Sequence, residues 1–367
     1  KQWHSLQNNL PEVPITDLRV QRKDLVVTTQ GRAIWILDDL TPLHQISDEV
    51  AKSDYFLYQP NDTHAELSIA YSSDGSGQNP PKGVQIHYVN NKEVPADTKM
   101  SLEILDSEGE VIHAEFTNVA RTECDSLIKP QLKKAIGTHR YKWNMREGMF
   151  DCLTELYTTN RDLSAYDAAP GDYKVRLTIG DVVMTQDFAI TIDPRIKMSV
   201  DNVEEAYVER DGIFKSIYSA GTEMTQGVRG LRKVKQQLKF VMEESDSPEL
   251  KTKGKLLEER IDDWIAKILQ KEMRTYQSNY MFEARLLIKY KDFLNRIGKG
   301  NLPVTEGVRE VTKDYLDQWR KLKTDLQFIK SKEVAEFNQL IANTKLPQIY
   351  DTKFFPFCQP FYFPCSI

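Results

Sequence analysis

The chain changes character near residue 196, and that shift constrains its fold more than any single motif. Before it lie short β-type runs broken by Gly, Pro and Asn; after it lie amphipathic stretches with few prolines. Val228, Leu231, Val234, Leu238 and Val241 keep the 3–4 spacing of one helix face, as do Leu257, Ile261, Trp264, Ile265 and Ile268. Phe282, Leu286, Tyr290, Phe293 and Ile297 repeat it, and a longer stripe runs from Val308 through Tyr315, Trp319 and Leu326 to Phe337 and Ile341. Each stripe is one apolar face, so the succession predicts an α-helical bundle over residues 196–347. Ser247-Pro248 reads as an N-cap followed by Pro at the first helical position. Gly298 to Asn301 reads as a stop, with a restart at Thr305.

The first half predicts strands. Leu25–Thr29 and Ala33–Leu37 are β-rich runs joined across Gln30-Gly31-Arg32, the pattern of a hairpin. Both have few polar positions, which suits strands covered on both faces. A lone hairpin does not hold in water, so it is expected to complete a sheet whose other strands lie elsewhere. Val84–Val89, Ser101–Leu105, Val111–Ala114, Tyr141–Met145, Tyr173–Ile179 and Val182–Ile192 alternate and are separated by turn residues. That spacing predicts an antiparallel β-sandwich of immunoglobulin or fibronectin type III kind over 65–195. Residues 46–64 are then a linker and 348–367 an aromatic, Pro-rich tail of no usable period.

Charge and composition exclude several classes. With 49 Lys and Arg against 54 Asp and Glu, the net charge of -5 provides no basic footprint for nucleic acid. No apolar run is long enough to span a bilayer. The four cysteines (Cys124, Cys152, Cys358, Cys365) form no C-x-x-C, and the six histidines never stand at i, i+2 or i, i+4. Neither a metal nor another cofactor is expected. Cys124 and Cys152 are either a disulfide or two separate thiols. Asn61-Asp62-Thr63 is a glycosylation sequon. The opening Lys1 to Ser5 has neither an initiator Met nor an apolar signal core, so the chain is expected to begin inside a longer protein.

Several motifs, in order, resemble bacterial proteins with sortilin-like or BNR repeats. Asp24-Leu25-Val26-Val27-Thr28-Thr29-Gln30-Gly31-Arg32 through Trp35-Ile36-Leu37-Asp38-Asp39 is similar to the last propeller blade of that family. Asn79-Pro80-Pro81-Lys82-Gly83, Gly137 to Arg146 with Trp143, and Ala169-Pro170-Gly171-Asp172-Tyr173 are similar to marks of its downstream domain, which Asp193-Pro194-Arg195 closes. The resemblance covers roughly 1–350. It implies that residues 1–45 are the remnant of a final β-propeller blade. It also implies an exported parent, extracytoplasmic in location and often labelled a glycosyl hydrolase.

Catalytic candidates are few. Glycoside hydrolysis needs paired carboxylates across a cleft, and Asp38-Asp39 is the tempting pair, yet neighbours at a strand end point opposite ways. Glu258, Glu259, Asp262 and Asp263 are expected on the solvated face of their helix. Trp143, Trp264 and Trp319 are expected in cores, and no G-x-S-x-G nucleophile motif is present. Ser72 to Gly77 runs into prolines rather than a helix start, so it reads as a loop and not a phosphate cradle. A binding role falls to Arg32, Trp35, Asp38 and Asp39. The chain is therefore expected to be a non-catalytic accessory region that braces a propeller and binds a glycan or protein. The competing expectations are a glycoside hydrolase with its carboxylates upstream of Lys1 and a sortilin-type peptide receptor.

Overall fold

The computed structural model describes residues 5–65, 82–116, 132–149, 153, 164–269, 282–298, 302–342 and 344–350. Sheets come first and helices follow. The four cysteines, the Ser72–Gly77 loop and the tail beyond Tyr350 lie outside the described residues.

The first sheet is antiparallel in the order β1 (Ile15–Gln21), β2 (Asp24–Thr29), β3 (Ile34–Leu37). The β2–β3 hairpin forms as expected and turns through Gly31 at φ +81°, a conformation glycine adopts without a Cβ penalty. Strand β1 was not expected. Asp17 to Gln21 alternates polar and apolar, and the register shifts only at its start, between Ile15 and Asp17. Among the described residues coverage on both faces is incomplete: Val27 is buried, but Ile34 and Ile36 stand exposed on one side and Leu18 and Val20 on the other.

Residues 46–64 are more than a linker. After the short helix α1 (Thr41–His44) come α2 (Asp48–Lys52), capped by Ser47 Oγ, then β4 (Tyr55–Leu57) and β5 (Thr63–Ala65). Strand β4 pairs with β6 (Val84–Asn90), which pairs with β9 (Gly137–Trp143). Strand β5 runs parallel to β13 (Val182–Ile192) at the edge of a five-stranded sheet. From β13 inward that sheet continues through β12 (Gly171–Ile179), β7 (Met100–Leu105) and β8 (Val111–Phe116).

Alternate residues of these two sheets share one core. Tyr173, Val175, Leu177 and Ile179 of β12 are buried, and so are Ile86, Tyr88, Tyr141 and Trp143 of the smaller sheet. At the mouth of β6, Gly83 has φ +110°, and a Cβ there would sit 2.1 Å from the Trp143 carbonyl oxygen. Only glycine fits.

A small hairpin of β10 (Arg146–Met149) and β11 (Ser164–Asp167) leads to the helices. A short α3 (Pro194–Lys197) precedes α4 (Val203–Glu244), α5 (Pro248–Ile268), α6 (Leu286–Gly298) and α7 (Glu306–Phe328). A π-helical turn, Ile329–Glu333, joins α7 to α8 (Val334–Ile341) without a break. The expected stripes become one core that includes Val228, Leu231, Leu238, Ile261, Trp264, Tyr290 and Ile329. Among the described residues no helix is long and apolar enough to cross a membrane.

Two details differ from expectation. Glu258 and Asp262 are not simply solvated: Lys235 of α4 lies 3.4 Å from Glu258 and 2.6 Å from Asp262, so they tie α5 to α4. The first half of α4 falls inside the predicted bundle, but no apolar stripe was read there; Gly212 and Gly221 in it, and Gly227 and Gly230 just beyond, lower helix propensity. Tertiary packing overrides that, and at Gly227 the neighbours Leu326 and Trp264 come so close that a Cβ would lie 2.8 Å from Leu326.

The α5 N-cap is as expected, with Leu250 N–H donating to Ser247 Oγ at 3.3 Å and Pro248 following. Ser247→Ala should lower stability by about 1 kcal/mol. Urea titration followed by the helical circular dichroism signal measures this, and an unchanged midpoint would refute the cap's contribution.

Candidate functional site

The structure does not gather the four sequence candidates into one site, and only Asp39 joins a buried cluster. Arg32 and Trp35 stay on the hairpin, where Trp35 Nε1 donates to the Arg32 carbonyl at 2.8 Å and Arg32 is exposed. Asp38 and Asp39 lie beyond β3 at a corner that carries the chain toward β4. Asp39 has φ +60°, a backbone state that Asp tolerates better than most residues. Its N–H donates to Asp24 Oδ1 at 2.9 Å, which closes the corner onto the start of β2.

The Asp39 carboxylate faces inward. Oδ1 accepts from Thr41 N–H at 3.1 Å and from Asn61 Nδ2 at 2.9 Å. Oδ2 lies 3.4 Å from His87 Nδ1, with both side chains largely buried. Asn61 also donates to Thr41 Oγ1 and accepts from Lys23 Nζ. Across the β6–β9 ladder, Arg140 is the register partner of His87. Burial lowers the His87 pKa, Asp39 pulls it up and Arg140 pushes it down again, with the net shift downward. The Asp38 carboxyl is raised by desolvation and then by Asp24, against the opposing pull of Arg140. The sequon asparagine is thus committed to this network, and a glycan on its Nδ2 would leave only one hydrogen for its two donated bonds.

A carboxylate beside an imidazole is half of an acid–base device, but this pair lacks the rest. Both bonds to Asp39 Oδ1 hold backbone and amide groups rather than a reacting atom. Asp38 is exposed while Asp39 turns to the interior, so the two carboxylates do not oppose each other across a sugar-sized gap. The cavities beside Arg309, Arg210 and Phe240 are lined by none of these residues. Among the described residues no group of three His, Cys, Asp or Glu side chains is arranged to hold a metal. Chemically, the cluster is a polar joint between the first sheet and the body of the molecule.

A second cluster escaped the sequence reading. Glu147 of β10 is buried, and Tyr166 of β11 donates its hydroxyl to Glu147 Oε2 at 3.2 Å. Desolvation, then the nearby Asp211 of α4, push the Glu147 carboxyl up to about 7, while Lys215 and the Tyr166 bond pull against them. Burial likewise raises the Tyr166 and Tyr173 hydroxyls. A perturbed carboxyl often marks catalysis, but this one is closed over. Beside it a Cβ on Gly148 would fall 2.7 Å from the Tyr218 ring, so α4 is pressed onto the hairpin. No local signal in Arg146-Glu147-Gly148-Met149 announces the burial, because α4 supplies it from more than sixty residues away.

Next to this joint, Arg210 is buried with its guanidinium 4.7 Å over the Tyr207 ring and 5.5 Å from that of Phe214. Arg146 reaches α6, where Nη1 and Nη2 donate to Asn295 Oδ1 at 3.3 and 3.2 Å. A cavity of about 20 Å³ between Arg210, Asp167 and Lys82 is the size of one water. These groups fasten sheet to helices. No family model matches the chain, and no curated protein is significantly similar to it.

Proposed function

We propose that the chain is a non-catalytic brace, the C-terminal accessory region of an exported protein of the sortilin-like, BNR-repeat type. On this reading β1 to β3 belong to the final blade of a β-propeller, the two sheets after them form an immunoglobulin-like sandwich, and the bundle buttresses both. A glycan or protein ligand would engage the completed propeller rather than this chain alone.

One observation carries the proposal: the first sheet leaves large apolar side chains exposed on both faces, with only Val27 at its centre buried. By register, Leu18, Val27 and Trp35 share one face, while Val26 and Ile36 share the other. Leu18 is 58% exposed and Val20 59%, against 65% for Ile34 and 58% for Ile36. A sheet that belongs between two others leaves this pattern when its neighbours are missing. The sandwich reading draws on Tyr173, whose hydroxyl donates to the Ala169 carbonyl at 2.6 Å, and on Trp143, which packs edge-on against Tyr173 and Phe188.

The test compares the present chain with a longer one that carries the upstream reading frame. Amide hydrogens of residues 15–37 should exchange quickly in the short chain and at least tenfold more slowly in the long one. The short chain should also turn over no glycan or peptide substrate. Equal protection in the two, or turnover by these 367 residues, would overturn the proposal.

A further inference from the structure

Just before the tail, the chain crosses α4 and α8 as a short extended strap, and two amide side chains hold its backbone. Asn338 Nδ2 donates to the Ile349 carbonyl at 2.7 Å, and Ile349 N–H donates to Asn338 Oδ1 at 2.7 Å. One residue on, Gln237 Nε2 donates to the Tyr350 carbonyl at 3.0 Å and Tyr350 N–H donates to Gln237 Oε1 at 2.9 Å. Each amide therefore copies the donor–acceptor face of a β-strand residue. Both peptide groups of the strap are read at consecutive positions, without reference to side-chain identity.

Sequence preference enters at one place. The Ile349 side chain is buried in the bundle core, whereas Tyr350 projects into solvent. Beside the strap an open recess of about 300 Å³ is lined, among the described residues, by Phe240, Val241, Pro347 and Gln237. Phe240 is half exposed at its edge. That recess offers apolar surface next to the Ile349 site that Leu346–Tyr350 leave exposed.

We propose that the α4–α8 seam is a peptide-reading groove, held shut in cis by Leu346–Tyr350. Its partner is an extended protein segment with a branched aliphatic residue at the Ile349 position and a further apolar side chain for the Phe240 cavity. The strap and the partner compete for Gln237 and Asn338. Binding is thereby limited by how often the strap lifts.

The probe is a fluorescent peptide of residues 344–350, acetylated and amidated, titrated by anisotropy into the full chain and its variants. Ile349→Asp should expel the strap and raise peptide affinity at least tenfold over the parent. Adding Gln237→Ala and Asn338→Ala should abolish that gain, and a peptide with Asp in place of Ile should not bind. Circular dichroism melting establishes that each variant is folded. A folded Ile349→Asp protein that fails to bind overturns the proposal, as does a parent that binds equally tightly or an Asp peptide that binds as well. Hydrogen exchange of the unaltered protein provides a check independent of any variant. The Ile349 and Tyr350 amides should exchange through local opening, at least a hundredfold faster than the core of α4. Exchange of these two amides only by global unfolding would mean the strap never lifts, which also overturns the proposal.

Discussion

At pH 8 the Glu147→Gln protein should be more stable than its parent by about 3 kcal/mol, and at pH 4.5 the two should nearly coincide. The carboxyl titrates from 4.5 in the unfolded chain to about 7 in the folded one, because burial and Asp211 disfavour its charge. The folded state therefore holds the proton more tightly. Below the unfolded value Glu147 is neutral in both states and costs nothing. As pH rises from 4.5 to 7 the unfolded chain gains by ionising first, and stability is lost across that window at up to about 1.4 kcal/mol per pH unit. Above 7 the penalty is constant. Glutamine keeps an acceptor for the Tyr166 hydroxyl while removing the charge that faces Asp211, Asp106 and, with opposite sign, Lys215. Urea midpoints of parent and variant at pH 4.5 and pH 8 decide it: a gap that does not widen with pH rules out Glu147 as the titrating group.

Trp264→Ala should cost about 4 kcal/mol, the range expected for emptying a large buried aromatic site. Trp264 is fully buried, packs edge-on against Trp319 with centroids 6.5 Å apart, and donates Nε1–H to the Leu322 carbonyl at 2.9 Å. Its removal opens a cavity where α4, α5 and α7 meet and takes a donor from a carbonyl in the last third of α7. Gly227 should sense the loss. Gly227→Ala alone overpacks against Leu326 and Trp264 and should cost about 1 to 3 kcal/mol. In the Trp264→Ala background part of that clash is gone, so the double variant should be more stable than the sum of the singles implies. Urea titrations of the three variants measure the coupling, and strict additivity would mean the two positions do not share the space assigned to them.

The two predictions separate what was legible from what was not. Trp264 could be placed in a core from sequence, because its neighbours Leu257, Ile261, Ile265 and Ile268 repeat at helical spacing whatever lies across from them. The β2–β3 and β12–β13 hairpins were legible for the same reason: their partners are a few residues apart, and turn residues such as Gly31 and Gly180 mark the join. Asp38 and Asp39 were legible as a polar pair, but their division of labour was not. Asp39 turns inward because Asn61 and His87 are brought to it by β5 and β6, from 22 and 48 positions away in the chain.

Sequence by itself determined the β-then-α order, the faces of the later helices, the hairpins and the Ser247 cap, all of which follow from periodicities or caps a few residues long. Tertiary structure alone decided that β5 runs beside β13, that Glu147 is buried against α4, and that Gln237 and Asn338 grip Ile349 and Tyr350. In each of these the deciding energy is desolvation or hydrogen bonding between groups far apart in the chain. Such a term does not exist until the surfaces meet, so it leaves no local pattern to read.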